Sequence, residues 1–126
     1  MTPDGKRQSQ AHSFRVAFQS IGAAFAGELH MKIHLFFAVL ALVACAVLRV
    51  DVVGWCLVIG CIAAVFCAEL FNTAIEALAD RVTLERDPLI KVAKDTAAGA
   101  VLVLAIASVI IGLAVYIPAG LRLLGM

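Results

Sequence analysis

The chain has 126 residues, a net charge of +1, 63% hydrophobic residues and only 15% charged ones. Typical globular chains hold about 45–50% apolar and 25% charged residues, so the composition excludes an ordinary soluble domain and indicates one membrane-embedded unit. A near-zero charge, one Trp and one Tyr leave neither the field nor the stacking surface that nucleic acid would need.

Residues 1–12, "MTPDGKRQSQAH", read as a flexible polar N-terminus. No apolar run with a cleavage site follows directly, so a cleaved signal peptide is not expected. Residues 13–29 carry Phe14, Phe18, Ile21 and Phe25 at spacings of four, three and four, with Arg15, Gln19 and Ser20 off that stripe. This spacing predicts an amphipathic helix lying flat at the membrane surface. The alternative, a soluble helix on a protein core, needs a core that this chain lacks.

Three transmembrane helices follow, at about 31–49, 52–81 and 88–117. Residues 52–68 and 96–121 are uncharged, and 33–48 hold one titratable group besides Cys45, His34; each run is near the roughly 20 apolar residues that span the hydrocarbon. "LRVDVVG" at 48–54 predicts a tight turn, and "VTLERDPL" at 82–89 a second break. Asp87 before Pro88 is a helix start, an acceptor at the N-cap and Pro at N1. Pro118 and Gly120 are expected to end the last helix. Cys45, Cys56, Cys61 and Cys67 lie in apolar runs without C-x-x-C or His spacing, which favours plain packing over disulfides or zinc. Lys6, Arg7, Arg15, Lys32, Arg81, Arg86, Lys91 and Lys94 fall on one face, Arg49 and Arg122 on the other. The positive-inside rule then puts the N-terminus and the 81–95 segment in the cytoplasm, in a multi-pass topology.

Against this apolar background stands "AELFNTAIEALADR" at 68–81. At about 100° per residue, Glu69, Asn72, Glu76 and Asp80 share one stripe that climbs roughly 16 Å. Solvation at a helix end accounts for Asp80 and Glu76 but not for Glu69, the deepest. A charge in mid-membrane costs at least about 2.5–3.5 kcal/mol and usually marks function; polar bridging between helices is the structural alternative. Glu28, at the membrane entrance, and Asp95, beside Lys94, can join the cluster. Hard oxygens suit Mg²⁺ with phosphates and water, and Lys94 offers a point charge for phosphate. A metal–phosphate site with a deeper carboxylate base is one reading. A non-enzymatic ion or proton pathway is the other, disfavoured because the polar groups crowd the cytoplasmic half and the last span holds only Ser108 and Tyr116 beyond Thr96.

The motif E-x-x-N-x-x-x-E-x-x-x-D-R at 69–81, with "KVAKDTAAGAVL" at 91–102, closely resembles the signature of the prokaryotic integral-membrane diacylglycerol kinase and undecaprenol kinase family, over essentially residues 14–113. The resemblance implies an all-α protomer of three transmembrane helices plus an N-terminal amphipathic surface helix, assembled as a homotrimer with shared active sites. It implies transfer of the ATP γ-phosphate to the hydroxyl of a membrane lipid alcohol, in phospholipid or cell-envelope lipid recycling. Glu69 would be the general base. Glu28 and Glu76 would hold Mg²⁺, with Asn72 orienting groups nearby. Asp80, Glu85, Lys94 and Asp95 would surround the nucleotide, and His34 and Gly99 would line the lipid with Glu69. "GELHMKIHL" at 27–35 is similar to the undecaprenol kinase pattern E-x-N-x-R-I-H, with His30 and Lys32 replacing Asn and Arg, whereas the diacylglycerol kinases are acidic at the position of His34. Undecaprenol is therefore the expected lipid, ahead of diacylglycerol.

Overall fold

The computed structural model describes residues 10–126, all of whose regular structure is helical: α1 (Gln10–Gly27), α2 (Leu29–Val47), α3 (Val52–Val82) and α4 (Pro88–Leu123). The last three are long and apolar enough to cross a membrane. Residues 1–9, including Lys6 and Arg7 of the charge asymmetry, lie outside the described part. Residues 10–12, expected in the polar tail, form the first turn of α1. The helix then stops short of the expected 29, because Glu28 is extended at φ −99° and ψ 121° and breaks α1 from α2 at a single residue. No residue of α1 is buried. Its stripe divides: Phe25 meets the Phe66 ring of α3 edge-on at 5.1 Å, while Phe14 and Phe18 are exposed.

The turn from α2 to α3 is closed by local hydrogen bonds. Val50 N donates to Cys45 O at 3.0 Å and Arg49 N to Ala46 O at 3.3 Å, the paired bonds of a Schellman motif. Its left-handed position, usually glycine, is Arg49 at φ 52°. Val50 folds back onto Cys45, the hydrophobic contact that accompanies this motif. Asp51 then caps α3, accepting from Gly54 N at 2.8 Å. A Cβ on Gly54 would overlap Val50 and crowd Val115 and Asp51, so only glycine lets the turn close this tightly.

Cys45, Val50, Val58 and Ala119 form the buried cluster at this end, with Trp55, Val115 and Tyr116 against it. The Tyr116 hydroxyl donates to Ala41 O at 2.8 Å, tying α4 to α2. This packing explains why α4 runs through Pro118 and Gly120 to Leu123 instead of ending there. Proline in a helix interior costs about 3 kcal/mol, but Ala119, 1% exposed, buries only if the helix continues. At the opposite end Asp87 caps α4, accepting from Leu89 N at 2.9 Å and Ile90 N at 3.2 Å, with Pro88 following.

The 31 residues of α3 and 36 of α4 give lengths of roughly 46 and 54 Å at 1.5 Å per residue. Both exceed the hydrocarbon thickness of about 30 Å, so these two helices, the most extensively packed pair, project beyond it and carry side chains from apolar depth into water.

The left-handed Arg49 yields a test. Arg49→Gly should raise the thermal midpoint, by about 1 kcal/mol of stability or less, and Arg49→Val should lower it, since a β-branched residue fits this conformation worst. Thermal unfolding in detergent checks the order Gly, Arg, Val; a Val variant as stable as wild type would refute it.

Candidate active site

Glu69 is the one buried charged residue among the described residues, 7% exposed. It faces inward from α3, and its Oε1 lies 3.1 Å from Nε2 of His34 on α2. The register follows from the hairpin: His34 stands seventeen residues before the Asp51 cap and Glu69 eighteen after it. Nearly equal distances from a tight turn bring two residues level on antiparallel helices. A carboxylate left unpaired at this depth would be costly, and the imidazole supplies a hydrogen bond.

One turn along the stripe, Asn72 Nδ2 donates to Glu76 Oε1 at 3.3 Å. Asn72 Oδ1 is buried with no hydrogen-bond partner, an uncommon state for a buried polar atom. An orphaned amide oxygen beside a carboxylate is a hard-oxygen donor pair and fits a divalent cation of the Mg²⁺ type. Glu28 sits at the N-cap of α2, where its side chain makes no capping hydrogen bond. Among the described residues no group of three or more His, Cys, Asp or Glu side chains gathers as a metal site. A Mg²⁺ ion that keeps its waters and binds phosphates needs only one or two carboxylates, so the donor set fits a metal arriving with a nucleotide.

Farther along, Asp80 Oδ1 takes a hydrogen bond from Lys94 Nζ at 2.5 Å, and Lys91 Nζ pairs with Asp95 at 2.5 Å. The first pair repeats the hairpin logic: Asp80 and Lys94 each stand seven residues from the Asp87 cap. Both pairs are well exposed, and such ion pairs contribute little, about 0–1 kcal/mol, so either lysine can turn to a phosphate at small cost. Glu85 is exposed in the α3–α4 connection, its backbone N–H donating to Thr83 Oγ1 at 3.0 Å. Gly99 is half-buried on α4, with nothing within 4 Å of where a Cβ would stand. No described hydrogen bond joins Glu85, Gly99 or the Glu28 side chain to the stripe.

An apolar groove of about 650 Å³ runs between α2, α3 and α4. His34 and Phe66 line the end nearest Glu69, and Ala44, Val58 and Tyr116 the far end. From His34 to Ala44 this is roughly 15 Å along α2. His34, Ser108, Cys61 and Tyr116 are the wall residues with polar side-chain atoms, and Glu69 itself is not on the wall. A chain lying in the groove would bring its head group to His34, with the carboxylate just behind.

Sequence reasoning named His34 and Glu69 separately and did not pair them. The available signal was their symmetric placement about the 48–54 turn. The Tyr116–Ala41 tie between α4 and α2 had no such signal, since these helices are not joined by one turn.

The model of the family described as Prokaryotic diacylglycerol kinase matches residues 15–116. The chain is similar to the undecaprenol kinase of Bacillus subtilis (strain 168), 37% identical over 106 residues, covering 84% of this chain and 86% of the relative. It is also similar to the diacylglycerol kinase of Synechocystis sp. (strain ATCC 27184 / PCC 6803 / Kazusa), 37% identical over 113 residues, covering 89% of this chain and 65% of the relative. The chain belongs to the prokaryotic diacylglycerol kinase family of membrane lipid kinases.

Proposed function

We propose that the protein transfers the γ-phosphate of ATP to the hydroxyl of a membrane lipid alcohol, and that undecaprenol is a better acceptor than diacylglycerol. The observation that carries this reading is a buried carboxylate, Glu69, behind the head of an apolar groove and on the same helix as a hard-oxygen pair and an exposed lysine–aspartate pair. The lipid chain lies in the groove with its hydroxyl near His34. Glu69 takes the hydroxyl proton as the lipid oxygen bonds to the γ-phosphorus and the bond to ADP breaks. Asn72, Glu76 and Glu28 are the residues that would hold Mg²⁺, which when bound neutralises charge on the transferring phosphoryl group. Lys94, released from Asp80, meets the phosphates, and Asp80, Glu85 and Asp95 lie around the nucleotide. Gly99, without a side chain, leaves room beside the lipid.

The two relatives are equally identical to this chain, so identity does not select the lipid. The groove supports the choice of undecaprenol, since its wall is almost wholly apolar. A polyprenol brings a bare hydroxyl, whereas diacylglycerol brings two ester carbonyls that would go without donors, a mismatch that discriminates between substrates. Such activity would serve cell-envelope lipid recycling. Three further parts of the reading concern the assembly. The chain works as a homotrimer with shared sites, which would complete the set in which Glu28 is unjoined and cover apolar faces such as Leu102, Val103, Ile106 and Ile110, all more than half exposed. α1 lies in the membrane interface, with Phe14 and Phe18 dipping into the lipid. The N-terminus and the 81–95 segment face the cytoplasm of the inner membrane, which the lysine and arginine distribution supports.

In a phosphorylation assay with purified protein, ATP and Mg²⁺, kcat/KM should be higher for undecaprenol than for diacylglycerol in the same detergent. Glu69→Gln should abolish turnover of both while the fold persists. Retained turnover in that variant would remove Glu69 as the base, and a preference for diacylglycerol would overturn the lipid choice alone. Glu76→Gln should raise the Mg²⁺ concentration needed for half-maximal rate, with the KM for lipid nearly unchanged; an unaltered Mg²⁺ titration argues against the metal assignment. A reporter fused after Met126 should read as external. A cytoplasmic signal from it would invert the topology and displace the site.

A further inference from the structure

We propose that His34 is a positioning residue for Glu69, fixing which carboxylate oxygen faces the lipid hydroxyl. This rests on the reading of Glu69 as the base. A glutamate carboxylate rotates freely about its last bond, since sp³–sp² torsions are broad, and an apolar wall offers nothing to hold it. Here one oxygen, Oε1, is held at 3.1 Å by His34 Nε2. A carboxylate that serves as the base accepts hydrogen bonds only, so on this reading Nε2 is the nitrogen that donates. With Oε1 engaged, Oε2 is left as the acceptor for the substrate. His34, 24% exposed at its side chain, lines the groove, whereas the side chain of Glu69 is 9% exposed and stands behind it. The imidazole therefore stands at the head of the apolar channel, hydrogen-bonded to the base beside it, where it can orient the carboxylate without accepting the lipid proton.

The role requires an N–H at the Nε2 position. Glutamine places its amide nitrogen close to that point, whereas asparagine reaches only as far as Nδ1. Outer-sphere positioning contacts are worth about 10–100-fold in activity, and misplacement by about 1 Å has effects of the same order. The experiment is steady-state kinetics on His34→Gln, His34→Asn and His34→Leu in the full chain, with undecaprenol, ATP and Mg²⁺, each variant checked by thermal unfolding. His34→Gln should keep kcat within about threefold of wild type, while His34→Asn and His34→Leu should lose roughly 10–100-fold in kcat, with both KM values within about twofold. Equal rates for the Gln and Asn variants, an undiminished kcat for Leu, or a rise in lipid KM at constant kcat would each overturn the proposal. Should the Leu variant not fold, the Gln–Asn comparison decides alone. Glu69→Gln, run in parallel, separates the two levels. If it is inactive while the His34 series is flat, Glu69 remains the base and only the positioning role falls; if it is active, the base assignment itself falls.

Discussion

A carboxylate in hydrocarbon must have a partner, and much of this structure follows from giving Glu69 one. An unpaired charge is costly to bury away from water, so a loose arrangement in which Glu69 sometimes met lipid would not persist. The partner lies on the preceding helix, which makes the α2–α3 turn decisive. Were one residue inserted in α2 between His34 and the turn, His34 would be rotated by about 100° about the helix axis and would point elsewhere. The turn is correspondingly over-determined. The paired bonds at Val50 and Arg49, the Asp51 cap on Gly54 and the Val50–Cys45 contact all fix the same register, and a left-handed arginine is tolerated to keep it.

The same helix then runs out of the membrane. Along α3 the polar groups pass from buried Glu69, through half-buried Asn72 and Glu76, to exposed Asp80. Their partners change with depth: an imidazole from α2, an amide within α3, an ammonium from α4. Pair strength follows the surroundings, since a hydrogen bond in an apolar environment matters more than an exposed ion pair. The deep pair is thus the fixed one and the outer pairs are the adjustable ones. That gradient suits a reaction whose lipid hydroxyl must be held in one place while a charged nucleotide comes and goes.

Much of this was legible in the residues. The three spans followed from apolar runs, the Asp87–Pro88 start from capping chemistry, and the polar stripe from 100° arithmetic on Glu69, Asn72, Glu76 and Asp80. What failed to show had physical reasons. Pro118 and Gly120 are ordinary stop signals, overridden because Ala119 packs at the turn cluster, a tertiary effect outside any local window. The early start of α1 at Gln10 and its break at Glu28 turn on backbone conformation that the Phe14–Phe25 spacing does not encode. The Schellman closure hid behind Arg49, because the residue that normally announces a left-handed cap is glycine. The pairs His34–Glu69 and Asp80–Lys94 were encoded after all, by reflection about Asp51 and Asp87, but reading them required the turn geometry first.

The identity of residue 34 also bears on how the base can work. The related pattern with an acid at this position would set two carboxyl groups facing each other across α2 and α3. Two such groups in an apolar setting do not both ionise, so one would donate to the other only by keeping its proton. A histidine removes that constraint. An imidazole can donate through Nε2 to Glu69 Oε1, and no proton has to be shared between two acids. On the proposed reading, a histidine in place of an acid therefore alters the state in which Glu69 waits for a hydroxyl. The side chain at the head of the groove is then the one that holds the base, so a substitution at this position acts on the chemistry before it acts on lipid affinity.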